Sequence, residues 1–157
     1  QMSLLYRWPI ENGLLDTCNE LDIKVLSYSP LALGYLTGKY SATNLPSGPR
    51  KKIGKDLYAD DAFDNLQTVM ADLASKYNAK TSQVAINWCI SKGTTPIPGA
   101  RTIKQVKQNL AALEWKLTKD EEKQLDEAAS KVTGFLTPDK NPFPRVDKDT
   151  GLIMYDS

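Results

Sequence analysis

Two glycines, several hydroxyl groups and a lysine lie within one short stretch that begins at Ser29. The stretch reads SPLALGYLTGKY and contains Gly34, Gly38 and Lys39. Glycine lets backbone amides approach an anion closely, and an ammonium group beside them adds attraction, so the pattern is suited to holding a phosphate. It matches neither the Walker motif nor GxGxxG, and a glycine-rich surface loop would explain the same residues.

A second candidate anion site follows Pro98, where the sequence reads PGARTIKQ. Arg101 and Lys104 fall at the predicted start of a helix, where positive charge opposes the helix dipole unless an anion offsets it. In parallel α/β proteins, ligands lie at the strand ends and at the N-termini of the helices that follow. We therefore expect an anion here, although Gln105 is also explained as the capping partner of Thr102.

The composition excludes several classes of function. The chain has 157 residues, of which 41% are hydrophobic and 25% charged, as in a soluble globular domain. Because 20 basic residues face 19 acidic ones, no strong field is available to hold nucleic acid or a membrane surface. The absence of histidine removes Ser-His and Cys-His pairs, and the two cysteines form no CxxC motif. We expect no metal site, no nucleic-acid partner and an intracellular location.

The chain contains no apolar run long enough to span a bilayer and no signal-peptide pattern at its start. It begins in apolar residues, QMSLLYR, without an initiator methionine. From this beginning we expect a segment cut from something larger.

The hydrophobic pattern predicts strands that alternate with helices. Strands are predicted at residues 2–6, 23–28 and 94–98, helices at 11–22, 63–77 and 82–92, and capped helices starting at Thr102 and Thr118. The segment 31–56 is rich in Gly and Pro and is predicted to be a long loop. This order indicates a parallel α/β fold, either an open sheet or a barrel, and three strands are too few to close a barrel of eight.

Other chemically suggestive residues have structural explanations. Trp88 and Trp115 are expected in the core or an interface. Asp120, Glu121 and Glu122 are expected to form a favourably charged first helical turn, not a catalytic carboxylate pair.

Together, YSPLALGYLTGKY, LPSGPR and SQVAINWCISKGTTPIPGARTIKQVKQNLAAL resemble the C-terminal half of the aldo-keto reductase superfamily. The similarity is nearest to the bacterial and plant-plastid branch of potassium-channel-β-subunit-like oxidoreductases and extends from Gln1 to about Val132. It implies the C-terminal half of a TIM (β/α)8 barrel over residues 1–133, with about three parallel strands and flanking helices. Residues 134–157 are then expected to form an irregular tail.

The resemblance also implies an NADP(H) site across the C-terminal mouth of the strands. Gln1 matches the residue that hydrogen-bonds the nicotinamide carboxamide, and Tyr28 matches the aromatic residue that stacks on the nicotinamide ring. The pyrophosphate loop corresponds to Ser29, Leu31, Gly34, Thr37 and Lys39, with Arg50 closing over it. The site of the adenosine and its 2′-phosphate corresponds to Gly99, Arg101, Gln105, Gln108 and Asn109, with Gln108 standing where glutamate is more usual.

In this family hydride passes from the nicotinamide to a carbonyl, assisted by a tyrosine, a lysine, an aspartate and often a histidine on the first barrel strands. No residue here falls in that motif, so the predicted set of catalytic residues is empty. The resemblance implies an NADP-dependent reductase of aldehydes or ketones as the complete protein, inactive as this chain alone, whose partner is the missing N-terminal half of the barrel.

Two other interpretations remain open. One is a non-catalytic nucleotide-binding or regulatory subunit, and the other is a half-barrel that persists only by pairing with a partner. A half-barrel exposes strand edges and the apolar barrel interior, which makes an isolated monomer prone to aggregation. The expected location is the cytoplasm or a plastid, with any transit peptide upstream of Gln1.

Overall fold

The computed structural model describes residues 1–133 and 135, together with the backbone of 145–146 and 153–154. The fold is α/β. The helices are α1 (Trp8–Glu11), α2 (Leu14–Glu20), α3 (Arg50–Leu57), α4 (Asp61–Lys76), α5 (Thr81–Ser91), α6 (Ile103–Leu110) and α7 (Lys119–Ser130). The strands are β1 (Leu26–Tyr28), β2 (Thr95–Ile97), β3 (Arg145–Val146) and β4 (Ile153–Met154).

A two-stranded parallel sheet joins β1 to β2. Tyr28 lies opposite Ile97 in the register, so both strands end at the same edge of the sheet. Behind the sheet, the buried hydroxyls of Ser27 and Thr94 share a hydrogen bond of 2.9 Å. The residues that follow the two strands are therefore brought to one edge.

Helices α4, α5 and α7 build the core beside this sheet. Phe63, Leu66, Trp88 and Leu125 are all completely buried. The indole nitrogen of Trp88 donates to Asp126 Oδ1 at 2.9 Å, which satisfies the one polar atom of that ring. Trp88 is thus a core residue, as expected. In the part of the chain that is described, no helix is both long enough and apolar enough to cross a membrane.

The two capping signals in the sequence place the starts of α6 and α7 correctly, and the structure adds a third cap at α4. Thr102 and Gln105 form a reciprocal capping box at α6. Thr118 and Glu121 do the same at α7. Asp60 caps α4 by accepting a hydrogen bond of 2.9 Å from Ala62 N. These short polar side chains satisfy backbone amides that have no partner within the helix.

The predicted strand at residues 2–6 does not form. Ser3 and Tyr6 instead close a tight antiparallel bridge, and Ser3 Oγ accepts from Leu5 N at 3.3 Å inside that turn. These local bonds compete with an extended conformation. Only Met2 N reaches the sheet, donating to Tyr28 O at 3.1 Å, so the described residues contain two parallel strands and not about three.

Two other predictions are corrected. The helix predicted at 11–22 is shorter, as α2 (Leu14–Glu20), because the φ of +78° at Gly13 separates it from α1. The predicted loop at 31–56 contains two short 3₁₀ turns within Ala32–Thr37, separated by a kink at Leu33 and Gly34, and helix α3. Gly54 lies within α3, where a Cβ atom would stand 3.3 Å from the Tyr35 ring, so this glycine serves close packing and does not break the helix.

The irregular tail predicted at 134–157 falls mostly outside the described residues. Within it, the backbone of β3 pairs antiparallel with that of β4. Phe135 is buried, with an edge-on ring contact to Tyr35.

Candidate functional site

The shared edge of the sheet carries the first predicted site residues. Tyr28 ends β1, and the hydrogen bond from Met2 N to Tyr28 O holds Gln1 beside it. Both side-chain amide atoms of Gln1 are buried and have no hydrogen-bond partner among the described residues. A buried amide without partners is costly, so this position suits a ligand that both donates and accepts, as a carboxamide does.

The phenol of Tyr28 keeps its proton at neutral pH. The residue is 42% exposed, and partial burial, with a smaller contribution from Tyr6, raises the pKa of the phenol above its ordinary value. An exposed neutral ring at the strand end offers a flat face for stacking.

The loop after β1 has an unusual backbone. Ser29, Ala32 and Leu33 have φ values of 56°, 46° and 57°, and Gly34 follows with 97°. Left-handed conformations are unfavourable for residues with a Cβ atom, and strain of this kind concentrates at ligand-binding sites. No sequence signal marks Ser29, Ala32 or Leu33 for this conformation.

Helix α3 closes onto this loop. Arg50 Nη1 donates to Leu33 O at 3.2 Å, and the hydroxyl of Tyr35 donates to Arg50 O. Arg50 therefore lies against this loop. Leu31 is half-buried against the core.

Thr37 and Lys39 order the far end of the loop. Thr37 Oγ1 donates to Gly34 O at 2.6 Å and accepts from Lys39 N at 3.3 Å. Lys39 is exposed, and its ammonium lies 5.3 Å from the centre of the Tyr40 ring. The cation is thus available at the surface of the loop.

The second predicted segment follows β2 and opens α6. Gly99 and Arg101 are exposed, and the Arg101 side chain forms no ion pair among the described residues. Gln105 Oε1 accepts from Arg101 N at 2.7 Å and from Thr102 N at 3.2 Å. Its capping role is therefore seen directly. Gln108 and Asn109 are half-buried on the last turn of α6.

Helix α5 brings the two segments together. A Cβ atom on Gly38 would stand 3.3 Å from Thr81 Oγ1, so the loop after β1 lies against the start of α5. Half a turn later, Gln83 Nε2 donates to Gln108 O at 3.0 Å. The loop after β1 and the last turn of α6 therefore flank the same end of α5.

Sequence reasoning missed the buried polar side chains of α5. It predicted one apolar face, whereas the whole run from Gln83 to Cys89 is buried, including Asn87. An amide at helical spacing among apolar residues was the available signal. Cys89 is not a candidate nucleophile, because burial raises the pKa of its thiol to about 12.

A cavity of about 250 Å³ lies elsewhere, between residues 4–8 and the end of α7. None of the predicted cofactor residues lines it. The predicted site is instead an open surface along one sheet edge.

The chain is similar in sequence to known proteins. The sequence profile of the Aldo/keto reductase family matches residues 1–130. A chloroplastic pyridoxal reductase from Arabidopsis thaliana is 46% identical over 129 residues, which are 82% of this chain and 35% of the relative. The NADP(+) aldo-keto reductase yakc of Schizosaccharomyces pombe is 30% identical over 75% of this chain and 36% of its own length. The chain thus spans about a third of the length of these relatives.

Solved structures agree on the fold. A glycerol dehydrogenase from Gluconobacter oxydans superposes with a TM-score of 0.73 at 23% identity, over 87% of this chain and 42% of its own. A thermostable aldo-keto reductase gives a TM-score of 0.59 at 23% identity, over 82% and 38%. The expected fold, part of a TIM barrel, is confirmed. On the match over residues 1–130 and this shared architecture, the chain belongs to the aldo/keto reductase family.

Proposed function

We propose that the complete protein reduces aldehydes or ketones with NADPH and that this chain supplies much of the cofactor-binding surface. The observation that carries the proposal is that the parallel register brings the segments after β1 and after β2 to one edge of the sheet, while the loop after β1 and the last turn of α6 both contact the start of α5. Ligands of parallel α/β proteins bind at this end of the strands.

The nicotinamide end would lie beside Gln1 and Tyr28. The buried amide of Gln1, which lacks a partner among the described residues, fits a carboxamide group. The exposed Tyr28 ring would stack on the nicotinamide and so select the face that meets the substrate. When bound, NADPH supplies the hydride for the reaction.

The pyrophosphate would be held by the loop of Ser29, Leu31, Gly34, Thr37 and Lys39. Its left-handed backbone is already formed and is braced by Arg50. A loop that is ordered before binding loses less conformational entropy when the ligand binds. Lys39 adds a positive charge at the exposed surface.

The adenosine and its 2′-phosphate would be held by Gly99, Arg101, Gln105, Gln108 and Asn109. The guanidinium of Arg101 can hold a phosphate by two parallel hydrogen bonds. Lys104 is exposed in the first turn of α6, close enough in sequence to add charge. The relative from Schizosaccharomyces pombe is named for NADP(+), which favours this cofactor over NAD.

Pyridoxal is the first aldehyde to test as a substrate. The Arabidopsis relative, 46% identical, is a pyridoxal reductase, and its chloroplastic location favours a plastid among the compartments expected here. Substrate choice also depends on loops outside this chain.

The test is purification of the complete protein and measurement of NADPH oxidation with pyridoxal and a panel of other aldehydes and ketones. We expect turnover by the complete protein and none by the 157-residue chain, because the chain has no residue in the family's catalytic motif. NADPH binding by the complete protein without turnover of any carbonyl would favour the non-catalytic interpretation. Carbonyl reduction by the chain alone would contradict the proposed division between cofactor binding and catalysis.

A further inference from the structure

Two buried amide side chains on α5 lie one turn apart and are not among the predicted cofactor residues. Gln83 is 7% exposed and Asn87 is 3% exposed. Gln83 Oε1 accepts from Lys80 N at 2.6 Å, and Gln83 Nε2 donates to Gln108 O at 3.0 Å. One side chain therefore joins the start of α5 to the last turn of α6.

Asn87 extends the same contact along the chain. Its Nδ2 donates to Ala112 O at 2.9 Å and to Trp115 O at 2.7 Å, and its Oδ1 accepts from Leu117 N at 3.1 Å. The segment from Gln108 to Leu117 is thus attached to α5 through side-chain amides. Buried amides that are fully hydrogen-bonded fix one arrangement, because any displacement leaves polar atoms without partners.

Apolar packing does not hold α6 in place against α5. None of its residues is buried among the described residues, and Ile103 is 78% exposed. The position of α6 relative to α5 therefore depends strongly on the hydrogen bond from Gln83. At the same end of α5, Thr81 lies against Gly38 of the loop.

We propose that Gln83 is a positioning residue for the cofactor: by holding Gln108 O, it sets the distance between the adenosine segment on α6 and the pyrophosphate loop. The inference rests on the proposed function, since it assumes that these two segments bind parts of the same cofactor. Asn87 assists Gln83, because its hydrogen bonds hold the segment that follows α6. Gln83 itself touches no cofactor atom.

Gln83 also caps α5, so the test must separate capping from positioning. Gln83→Glu does this, because the carboxylate still accepts from Lys80 N but cannot donate to Gln108 O. It also brings a negative charge beside that carbonyl oxygen. Gln83→Met, which removes both hydrogen bonds at similar volume, serves as the second variant if the buried charge prevents folding. Gln124→Glu, an exposed amide on α7, is the matched control for the change in charge.

The experiment uses the complete protein and measures NADPH affinity by fluorescence titration, kcat and KM for NADPH, and hydrogen exchange of the α6 amides. We expect Gln83→Glu to raise Kd and KM roughly fivefold to tenfold, the effect of losing one hydrogen bond, with kcat nearly unchanged. The α6 amides should exchange faster, and Gln124→Glu should match the wild type.

Wild-type affinity and wild-type α6 exchange in a folded Gln83 variant would overturn the inference while leaving the proposed function intact. Faster exchange with unchanged affinity would also overturn it, because Gln83 would then be only a structural link. A wild-type protein that binds no NADPH would overturn the proposed function, and the inference with it.

Discussion

Glu121 shows how one side chain can link two helices. It is buried, and its carboxylate accepts from Lys76 Nζ at 2.6 Å, Tyr77 Oη at 2.7 Å and Thr118 N at 2.7 Å. Burial alone would raise its pKa, but the hydrogen bonds, with Lys76 the largest, lower the pKa to about 2. The expected acidic first turn of α7 is present, and Glu121 in this turn also links α7 to α4.

Acid should weaken this link between α7 and α4. A carboxyl whose pKa is lower in the folded state contributes stability above its unfolded value of 4.5 and loses it as the pH falls towards about 2. We expect the free energy of unfolding to fall across that range and Glu121→Gln to flatten this part of the pH dependence, as measured by urea unfolding. Glu127→Gln, an exposed control on α7, should keep the wild-type dependence. An identical pH profile for Glu121→Gln would contradict the assignment.

Arg101 should decide which dinucleotide is preferred. In the complete protein, Arg101→Ala should weaken NADP binding about tenfold or more, because a charge-assisted contact to the 2′-phosphate is lost, while NAD binding changes little. Titration of both dinucleotides measures the difference. Lys107→Ala, also exposed but near the end of α6, is the control. Equal losses for the two dinucleotides would remove the 2′-phosphate from this position.

Among the elements, the contact between the loop and α5 can be tested with a matched pair of glycines. Gly38 and Gly13 have φ values of +71° and +78°, but only Gly38 faces a neighbour, Thr81 Oγ1. Alanine at either position should cost about 1–2 kcal/mol of stability through backbone strain. Only Gly38→Ala should also weaken NADPH binding in the complete protein, because it moves the loop. Equal affinities in the two variants would show that the loop position is unimportant.

Elements with a local signal could be predicted from the sequence. Strands β1 and β2 and helices α4 to α7 follow from hydrophobic spacing and from caps such as Thr102 and Thr118. Helix α3 was missed because it is short, mostly polar and contains Gly54, whose place is set by contact with Tyr35. Likewise, the hydrogen bond from Gln83 to Gln108 O joins residues 25 positions apart, which spacing alone cannot reveal.

The predicted site could likewise be foreseen only in part from the sequence. Motif similarity singled out the loop after β1 and the segment after β2, and the parallel register places both at one edge. The left-handed conformation of Ala32 and Leu33 could not be foreseen, since neither residue type favours it. Such conformations depend on the surrounding contacts, here including the bond from Arg50 to Leu33 O.

At the scale of the whole molecule, apolar side chains remain exposed on two adjoining elements. Leu26 is 62% exposed and Ile97 is 53% exposed on the sheet. On α6, Ile103 and Leu110 are 78% and 59% exposed, and Leu113, in the 3₁₀ turn that follows, is 65% exposed. An apolar surface of this kind normally contacts another part of a protein or another molecule.

The isolated 157-residue chain should therefore self-associate. We expect the combined replacement Ile103→Gln and Leu110→Gln to reduce association, measured by light scattering over a range of concentrations. Lys104→Gln with Lys107→Gln changes the same number of residues on the polar side of α6 and should not reduce it. A monomeric wild-type chain at all concentrations would contradict this expectation.

The bond between Ser27 and Thr94 also has a consequence for the order of folding. These residues are 67 positions apart in the chain, so pairing the two strands closes a long loop and carries a large entropic cost. The contact between α4 and α5, which are neighbours in sequence, closes a much shorter one. The helical hairpin should thus form first and shorten the effective distance between the strands. Because the two strands join residues that are far apart in sequence, we expect the sheet to form late in folding. The sheet edge that is proposed to bind the cofactor would form with it.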